Sequence, residues 1–598
     1  MFQPNFESTP PANLLEGIRF EKDVPIPMRD GTRLATDLYL PSAPGRYPVL
    51  LERTPYGKHQ SVMVRIQAPQ YLAAHGFAVA VQDARGRYAS EGLWYPFREE
   101  AWGTARDGFD SVEWLAGQPW SSGRVGVFGG SFAGFNQYLM AGDPNPHLGA
   151  MFTRQAPASL RNEWVYRGGA FELGFMFMWG ARQSLETLRH RAAVLDRESS
   201  RNQMALLRAR PLAECGLFSD PFAWIKEYLL RQEDPAYWRQ WDISTQYGRF
   251  RVPMYHLASW YDIFLGGSLR NFIGMRAHAS SPEARRSQRL TIGPWMHGPA
   301  MDDPVAGRYT GEMDFSDEAR FNYKEAMAQW FDLTLGGKVN ALADAPAVNY
   351  FMMGVNRWRT AEEWPPPGIS FRNLYFHSER SGSAKSVNDG TARWHPPASD
   401  PPPAAFVHDP DKPTRSAGGN TLYSLHEQKP GEQGGFAELN AQAGSQDQRG
   451  IEPECLTFTS PPLDEDLDLT GPVVAKLYIS SSAVDTDLVV RLCDVHPDGR
   501  SMLICDGIQR ARYRDSDYEP SLLEPGKVYE LSVDLWATSI RLFAGHRIRV
   551  VINSSNFPRF DVNPGTGESG ATASRVVQAE NRVYVDARRP SHIVLPLL

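Results

Sequence analysis

The chain has 598 residues, and at about 150 residues per domain this length predicts several domains rather than one small module. Its composition, 42% hydrophobic and 22% charged, excludes wholesale disorder, and no uncharged apolar run reaches the length of about 18 residues that spans a membrane. The net charge of -7 argues against a nucleic-acid partner, because proteins that bind phosphate backbones carry an excess of basic residues.

The cysteines predict neither a metal site nor a disulfide framework. There are four of them, and none has the spacing of a zinc site or of a disulfide-rich domain, so reduced and buried thiols are expected. They are Cys215, Cys455, Cys493 and Cys505. The N-terminal segment lacks the basic start and apolar stretch of a signal peptide, and a cytoplasmic location is therefore expected.

The first part of the chain predicts a β-hairpin followed by alternating strands and helices. Segments 21–27 and 32–40 flank a turn and have partly alternating apolar residues, as in a hairpin. Three later runs are continuously apolar, which is typical of strands buried on both faces of a parallel sheet. They are residues 49–51, 78–81 and 125–128, with helical patterns at 61–74 and 104–115. This alternation favours an α/β layer.

The pattern changes twice further along the chain. From about residue 158 to 250 aromatic-rich helical segments, such as 171–188 and 221–230, replace the strands and indicate a helical insertion. Strand character returns at 252–257 and 290–292. After about residue 345 short alternating strands follow one another without helices, which indicates an antiparallel sandwich or jelly roll. Among these strands are 473–479, 488–493 and 547–552.

The most informative motif is the glycine-rich segment 129–134, which follows the apolar run 125–128 and precedes a helix-compatible stretch. A nucleophile elbow needs small residues on both sides of its serine, because the strand turns sharply into a helix, and Gly129 and Ala133 meet this need. The helix N-terminus would place the backbone N-H of Phe132 beside an oxyanion. Ser131 is therefore a candidate nucleophile, although a plain strand-helix turn would have similar composition.

Candidate partners for this serine occur in the order expected of such a fold. Asp262 follows the strand at 252–257, and His297 follows the strand at 290–292, so both side chains are expected at the carboxyl edge of the sheet. Taken singly, Asp262 would more simply be interpreted as a helix-capping aspartate and His297 as a surface histidine. The order, topology and sheet edge of all three residues together favour a catalytic triad.

Five motifs together resemble the cocaine esterase and X-Pro dipeptidyl-peptidase family of serine hydrolases. They are RTPYGK at 53–58, QDARGRYASEG at 82–92, GGSFAG at 129–134, WYD at 260–262 and GPWMH at 293–297. The resemblance continues into the last third of the chain, where DVHPDGR at 494–500 is similar to the jelly-roll domain of that family. One departure is Phe132, where the family usually has tyrosine.

The resemblance implies an α/β-hydrolase core interrupted by a helical cap and followed by a C-terminal all-β jelly-roll domain. The expected boundaries are 1–157 and 251–345 for the two parts of the core, 158–250 for the cap insertion and 346–598 for the jelly-roll β-sandwich. It also implies a triad of Ser131, Asp262 and His297, with Tyr56 donating its phenolic O-H to the oxyanion beside the Phe132 N-H. Without the motif, Tyr56 would be interpreted as a half-buried ring with a solvated hydroxyl.

Two other residues of the motifs are given a structural interpretation. Asp83 and Arg85 follow the strand at 78–81, and the expectation is that they pair with each other and brace the loop.

The acyl site is expected to be apolar. Where α-amino-acid ester hydrolases of the family carry two acidic residues just after the catalytic aspartate, this chain has Phe264 and Leu265. Phe264 also occupies the position from which an aromatic residue lines the acyl site of cocaine esterase. The cap offers further aromatic candidates, although aromatic residues at helical spacing more often form core. The substrate-binding candidates are Phe264, Trp164, Tyr166 and Trp179, with Phe171 and Phe175 also available.

These observations predict a serine carboxylesterase that acts without cofactor or metal, through an acyl-enzyme, on a small ester with an apolar or aromatic acyl group. One alternative uses the same triad on an amide or peptide bond, as an acylase or X-Pro dipeptidyl-peptidase, with Glu163 or Glu172 pairing a substrate ammonium. Another is a catalytically silent protein whose jelly roll binds carbohydrate. The expected partner is a small-molecule ester or amide, and neither nucleic acid nor membrane is expected. Enzymes of this size are commonly homodimers, which leaves self-association open.

Overall fold

The computed structural model of the protein describes residues 16–100, 105–188, 207–215, 223–298, 307–428, 436–440 and 443–598. The N-terminal fifteen residues, which include most of the segment examined for a signal peptide, lie outside these ranges. So do residue 104 of the predicted helix 104–115 and residues 221 and 222 of the predicted helix 221–230. Within the described ranges, every helix is too short or too polar to cross a lipid bilayer.

The strands up to residue 361 form one large mixed sheet and some two-stranded pairs. In chain order they are β1 (Ile18–Pro27), β2 (Arg33–Pro41), β3 (Tyr47–Thr54), β4 (Ala78–Asp83), β5 (Ser121–Gly130), β6 (Leu148–Arg154), β7 (Tyr166–Arg167), β8 (Ala170–Phe171), β9 (Met254–Tyr261), β10 (Gln288–Met296), β11 (Tyr309–Thr310), β12 (Met313–Asp314), β13 (Val348–Met352) and β14 (Arg357–Ala361). The predicted hairpin is confirmed, because β1 and β2 pair antiparallel.

The large sheet has the strand order β1-β2-β4-β3-β5-β6-β9-β10-β13-β14. All neighbours from β4 to β13 are parallel, whereas β1, β2 and β14 add antiparallel edges. In β4, Ala78 and Ala80 belong to one hydrophobic cluster, and Val79 and Val81 belong to another. Since successive side chains of a strand face opposite sides, the central strands are buried on both faces, as predicted.

Helices connect these strands. They are α1 (Val62–Arg65), α2 (Ala68–Ala74), α3 (Asp107–Ala116), α4 (Phe132–Ala141), α5 (Leu173–Leu188), α6 (Ala223–Leu230), α7 (Pro235–Trp238), α8 (Leu265–His278), α9 (Pro282–Arg286) and α10 (Tyr323–Thr334). The helix predicted over 61–74 is two short helices instead. Gln67 adopts a left-handed conformation between them, with φ 59°, and Pro69 stands in the first turn of α2, where a missing N-H costs nothing.

Residues 158–250 add no strand to either large sheet within the part of the chain that the structure describes. They contain the π-helical turn Leu160–Val165, the short β7-β8 hairpin and the helices α5, α6 and α7. Buried aromatic rings from these elements join the hydrophobic cluster on one face of the core sheet, and Trp164 and Trp238 are examples. The segment therefore packs on the α/β layer from outside, in the region predicted to be a helical insertion.

The last part of the chain is an all-β domain. Its strands are β15 (Ser370–Arg380), β16 (Gly390–Arg393), β17 (Ala404–His408), β18 (Ser424–Gln428), β19 (Phe436–Asn440), β20 (Leu456–Thr459), β21 (Leu467–Ser481), β22 (Asp487–Val495), β23 (Ser501–Arg510), β24 (Tyr529–Leu542), β25 (Arg547–Asn553), β26 (Ala579–Val583), β27 (Val585–Asp586), β28 (Arg589–Pro590) and β29 (His592–Leu597). The main sheet runs β17-β26-β21-β29-β15-β16-β20-β25-β22-β23, and β24 pairs with β21. The predicted strands 473–479, 488–493 and 547–552 lie inside β21, β22 and β25. The predicted fold class, an α/β-hydrolase core with an all-β C-terminal domain, is confirmed.

The sheet pairing continues past the boundary predicted at residue 345. β13 pairs parallel to β10, and β14 pairs antiparallel to β13, so the α/β sheet extends to Ala361. The two strands are only five residues long and β14 is largely exposed, which makes them similar in sequence to the short strands of a sandwich. Hydrogen bonding to β10, which a local pattern does not reveal, places them in the first sheet.

Two local expectations have different outcomes. The four cysteines are buried, as predicted. The predicted pairing of Asp83 with Arg85 is wrong, because Asp83 accepts a hydrogen bond from the Lys58 backbone N-H at 2.7 Å and Arg85 forms ion pairs with Asp30 and Asp107 at 2.7 and 2.5 Å. β4 ends at Asp83 and Arg85 lies in the turn that follows, so the two side chains do not share a strand face, and each carboxylate or guanidinium finds a partner from another segment.

Candidate active site

Ser131 stands at the sharp turn between β5 and α4. Its backbone has φ 57° and ψ -120°, a conformation that costs on the order of 1–3 kcal/mol for a residue with a side chain. Gly129 permits the turn, since a Cβ at that position would lie 2.7 Å from the Cβ of Ala133. The Ser131 N-H donates to the Arg154 carbonyl of the neighbouring strand β6 at 2.9 Å. Sheet and helix together thus hold the serine in a strained but fixed orientation.

The three predicted catalytic residues form one hydrogen-bonded chain. His297 Nε2 lies 3.0 Å from Ser131 Oγ, and His297 Nδ1 lies 2.5 Å from Asp262 Oδ2. Asp262 is fully buried, and its other carboxylate oxygen accepts a hydrogen bond from the Phe264 N-H at 2.7 Å. With the Nδ1 proton directed to the carboxylate, Nε2 is left to accept the proton of the serine hydroxyl.

The parallel sheet explains why residues so distant in sequence meet. Ser131 follows β5, Asp262 follows β9, and His297 follows β10, and these three strands are parallel members of one sheet. Their carboxyl ends lie at the same edge, which is where open α/β sheets place their ligands.

Gln155 holds the loop of His297, and no sequence motif pointed to this glutamine. Its Nε2 donates to the Met296 carbonyl at 2.8 Å, and its Oε1 accepts from the Gly298 N-H at 3.0 Å. One amide group therefore binds the backbone on both sides of His297. Gln155 directly follows β6, whose sequence LGAMFTR was not predicted to be a strand. Recognition of that strand would have placed Gln155 at the edge of the sheet that carries Ser131, Asp262 and His297.

The two predicted oxyanion donors come from segments at the same edge of the sheet as the serine. Tyr56 follows β3 and is half-buried, and its phenolic oxygen accepts a hydrogen bond from Trp179 Nε1 at 3.1 Å. Phe132 is the first residue of α4, so its N-H lies at the positive end of the helix. No helical carbonyl precedes it to accept a hydrogen bond from this N-H. The rings of Tyr56 and Phe132 make an edge contact, with centroids 6.4 Å apart.

Three of the four predicted substrate-binding aromatics lie together beside the histidine. The Phe264 ring is 5.2 Å from the His297 ring and stacks on Trp164 at 4.7 Å. Trp164 in turn contacts Trp179 at 5.0 Å. Because Trp179 is hydrogen-bonded to Tyr56, these rings form a continuous apolar wall between His297 and Tyr56. We call Phe264, Trp164 and Trp179 the aromatic wall.

Tyr166 is not part of this wall. It is fully buried inside the insertion, where its hydroxyl donates to the Tyr228 carbonyl at 3.1 Å and its ring contacts Phe171 and Trp238. Trp164 and Tyr166 are two residues apart, and the chain leaves the π-helical turn between them, so their side chains enter different parts of the core.

The acidic residues considered as ammonium partners are already engaged. Glu163 accepts hydrogen bonds from the N-H groups of Ala158 and Ser159 and pairs with Arg270 at 3.0 Å. Glu172 lies 3.7 Å from the Arg559 guanidinium. Burial raises the pKa of both carboxyl groups, to about 7 for Glu172. Both carboxylates therefore have partners within the fold.

One group of potential metal ligands occurs among the described residues, in the all-β domain. It consists of Asp494, His496 and His546, whose ligand atoms lie within 4.8 Å of one another. His546 Nδ1 lies 2.7 Å from one carboxylate oxygen of Asp494, and His496 Nε2 lies 3.4 Å from the other. The hydrogen bond between His546 and Asp494 accounts for two of these groups without an ion, and the His496 imidazole lies beside the same carboxylate.

The comparisons with known proteins agree with the resemblance seen in the motifs. Residues 30–299 match the family described as X-Pro dipeptidyl-peptidase (S15 family), and residues 340–594 match the X-Pro dipeptidyl-peptidase C-terminal non-catalytic domain. Cocaine esterase of Rhodococcus sp. (strain MB1 Bresler) is 34% identical, over 96% of this chain and 98% of that protein.

Solved structures show the same fold. An aminopeptidase from the marine sediment archaeon Thaumarchaeota archaeon has a TM-score of 0.81 and 24% identity, and an α-amino acid ester hydrolase has a TM-score of 0.80 and 24% identity. Each comparison covers 100% of this chain and 99% of the other. The matches span the α/β part and the all-β part alike, and the chain therefore belongs to the S15 family of serine hydrolases, with cocaine esterase among its relatives.

Proposed function

We propose that this protein hydrolyses a carboxylic ester with an apolar or aromatic acyl group, through an acyl-enzyme on Ser131. The observation that carries the proposal is the hydrogen-bonded chain from Ser131 Oγ through His297 to the buried Asp262 carboxylate. This arrangement is what an alcohol nucleophile requires, because a serine hydroxyl is a weak nucleophile until a neighbouring base takes its proton.

The reaction would proceed in two halves. In the first, Ser131 Oγ attacks the ester carbonyl carbon while its proton passes to His297 Nε2, and His297 then returns that proton to the departing alcohol. In the second, His297 takes a proton from water as the water oxygen attacks the acyl carbon, and His297 then gives that proton to Ser131 Oγ as the bond to the acyl group breaks and the acid leaves. Asp262 holds the Nδ1 proton throughout and stabilises the imidazolium that forms in each half.

Tyr56 and Phe132 are the proposed oxyanion donors. The developing alkoxide would accept from the Tyr56 O-H and the Phe132 N-H, and loss of one such donor typically lowers turnover by about 100- to 1000-fold. The hydrogen bond that Tyr56 accepts from Trp179 polarises the phenol, which makes its own proton a stronger donor. Tyr56 thereby connects the oxyanion site to the aromatic wall.

The preference for an apolar acyl group follows from what surrounds His297. The aromatic wall packs against the imidazole, and Phe264 and Leu265 are the two positions where an ammonium-binding member would carry acids. A substrate with a free α-amino group would bury its charge without a carboxylate partner, at a cost of several kcal/mol. A neutral ester meets no such penalty.

A second candidate is an amidase or X-Pro dipeptidyl-peptidase that uses the same triad. The match of residues 30–299 to the X-Pro dipeptidyl-peptidase family favours it, and the engaged state of Glu163 and Glu172 argues against it. A cytoplasmic location belongs to the same proposal, since four buried cysteine thiols suit a reducing compartment.

The test compares wild type with Ser131→Ala on a p-nitrophenyl ester and on an X-Pro-anilide. We expect faster hydrolysis of the ester, loss of both activities in Ser131→Ala, and fluorophosphonate labelling of wild type only. Faster anilide hydrolysis would replace the ester assignment with the peptidase one. A wild-type protein that is folded but neither labelled nor active would contradict both and favour a binding role.

A further inference from the structure

A side chain of the all-β domain holds the segment that carries the proposed catalytic acid. Asn420 is 2% exposed, and its amide nitrogen donates to the carbonyl of Trp260 at 2.9 Å and to the carbonyl of Asp262 at 2.8 Å. Both protons of one amide are thus used on the two carbonyls that flank Tyr261. This contact joins residues more than 150 positions apart, between two different domains.

Asn420 stands on a fixed turn. The preceding residue, Gly419, donates its N-H to the Gly444 carbonyl at 2.8 Å and accepts from the Gly444 N-H at 3.0 Å. Its φ of 87° favours glycine, and a Cβ at this position would make a tight contact of 3.0 Å with the Asp506 carboxylate. Asp506 is itself buried and paired with Arg559 at 2.7 Å. The amide therefore has a rigid support.

The other contacts of Asp262 show what this support would control. The carboxylate is only 2.5 Å from His297 Nδ1, and its second oxygen is bound by the Phe264 N-H. These contacts lie on the side chain, whereas Asn420 holds the backbone of the same residue from the opposite domain. Within its own segment the Asp262 backbone makes local hydrogen bonds, since its N-H donates to the Ser259 carbonyl at 3.1 Å and its carbonyl accepts from the Leu265 N-H at 3.2 Å. Asn420 adds the hydrogen bond that ties this turn to the all-β domain.

We propose that Asn420 is a positioning residue for Asp262, and that the all-β domain is by this contact a part of the hydrolytic site. The inference rests on the proposed function, because it assigns Asn420 an effect on turnover through the triad. A displacement of about 1 Å in a catalytic group can cost about 100-fold in rate. Loss of both hydrogen bonds is therefore expected to lower kcat by about 10- to 100-fold. KM should stay within about twofold, since Asn420 touches no proposed substrate group.

The experiment uses the full-length chain with two variants of Asn420 and a matched control. Asn420→Ala removes both hydrogen bonds. Asn581→Ala is the control, because the amide nitrogen of Asn581, 2% exposed in the same domain, also donates two hydrogen bonds, to Thr486 at 2.9 Å and Ser554 at 2.8 Å. The proposal expects a loss of kcat in Asn420→Ala and a wild-type kcat in folded Asn581→Ala.

Asn420→Asp gives a second readout that a purely structural role would not produce. Its carboxyl is nearly the same size as the amide but can donate only when protonated, and when ionised it repels the two carbonyls. The ratio of its kcat to that of wild type should therefore rise as the pH is lowered from 8 to 5.5. This measurement also decides the matter if Asn420→Ala fails to fold.

The outcomes separate this inference from the proposed function. A kcat within twofold of wild type in folded Asn420→Ala, or a flat pH ratio for Asn420→Asp, overturns the positioning role while Ser131→Ala remains inactive. An equal loss of kcat in Asn581→Ala also overturns it, because the effect would then be general destabilisation. Unchanged hydrolysis by Ser131→Ala would instead overturn the proposed function, before any variant of Asn420 is measured.

Discussion

Replacement of Phe264 by alanine tests whether the aromatic wall sets the acyl preference. Phe264 is fully buried between Trp164, 4.7 Å away in a stacked contact, and His297, 5.2 Å away in an edge contact. Truncation of such a buried phenylalanine removes about 150–200 Å² of apolar contact and costs about 3–5 kcal/mol of unfolding free energy. The space it leaves lies beside the imidazole, where the acyl group is proposed to bind.

The expected change in activity is a shift toward larger acyl groups. A hydrophobic pocket discriminates by about 1–3 kcal/mol per added group, so the ratio of kcat/KM for a bulky aromatic ester to that for an acetyl ester should rise by about 10-fold or more in Phe264→Ala. A panel of p-nitrophenyl esters with acetyl, butanoyl, benzoyl and naphthoyl groups measures this ratio, and thermal unfolding measures the stability loss.

Phe272→Ala provides the matched control. Phe272 is 1% exposed on α8, packs against the buried His256 ring at 5.8 Å and lies outside the aromatic wall. We expect a similar loss of stability with no change in acyl preference. If Phe264→Ala keeps the wild-type ester profile, or if Phe272→Ala shifts it equally, Phe264 does not line the acyl site and the reasoning is refuted.

Two further predictions concern groups near the site and in the core. Gln155→Leu removes the amide that binds the backbone on both sides of His297, so kcat should fall by about 10- to 100-fold with little change in KM. A wild-type kcat would show that the loop keeps its conformation without these hydrogen bonds. Glu52 is buried and accepts a hydrogen bond from the Ser61 hydroxyl, and burial raises its pKa to about 7. Since the folded state favours the protonated carboxyl, wild-type stability should fall as pH rises from about 4.5 to about 7. In thermal melts, the stability of Glu52→Gln should not show this decrease with pH, and at pH 8 its unfolding free energy should exceed that of wild type by on the order of 1–3 kcal/mol. An identical pH dependence of stability in both proteins would contradict this.

Much of the α/β layer could be predicted because its strands are local patterns. Continuous apolar runs such as 78–81 marked central strands, and the order of Ser131, Asp262 and His297 along those strands placed them at one edge of the sheet. β6 was missed because Gly149 and the terminal Thr153-Arg154 interrupt its apolar run, although nearly all of its residues are buried.

The contacts that hold the site could not be predicted in the same way. Gln155 and Asn420 bind backbone carbonyls and an N-H of segments distant in sequence, and neither their residue type nor their neighbours mark that role. The separation of Tyr166 from the aromatic wall depends on the π-helical turn at Leu160–Val165, which has no simple periodic signature. The positions of these three residues depend on contacts between segments that are distant in sequence.

The extension of the first sheet to Ala361 bears on how freely the two domains could be exchanged during evolution. Beyond β13, Met353 exchanges backbone hydrogen bonds with the all-β domain, donating to Ser539 at 2.9 Å and accepting from Arg541 at 2.9 Å. One hydrophobic cluster contains Phe351 of the first sheet together with Leu477 of the second. A gene fusion or truncation at residue 345 would therefore divide a shared core and not a flexible linker. We therefore expect the α/β part and the C-terminal all-β domain of this hydrolase to be retained together in evolution.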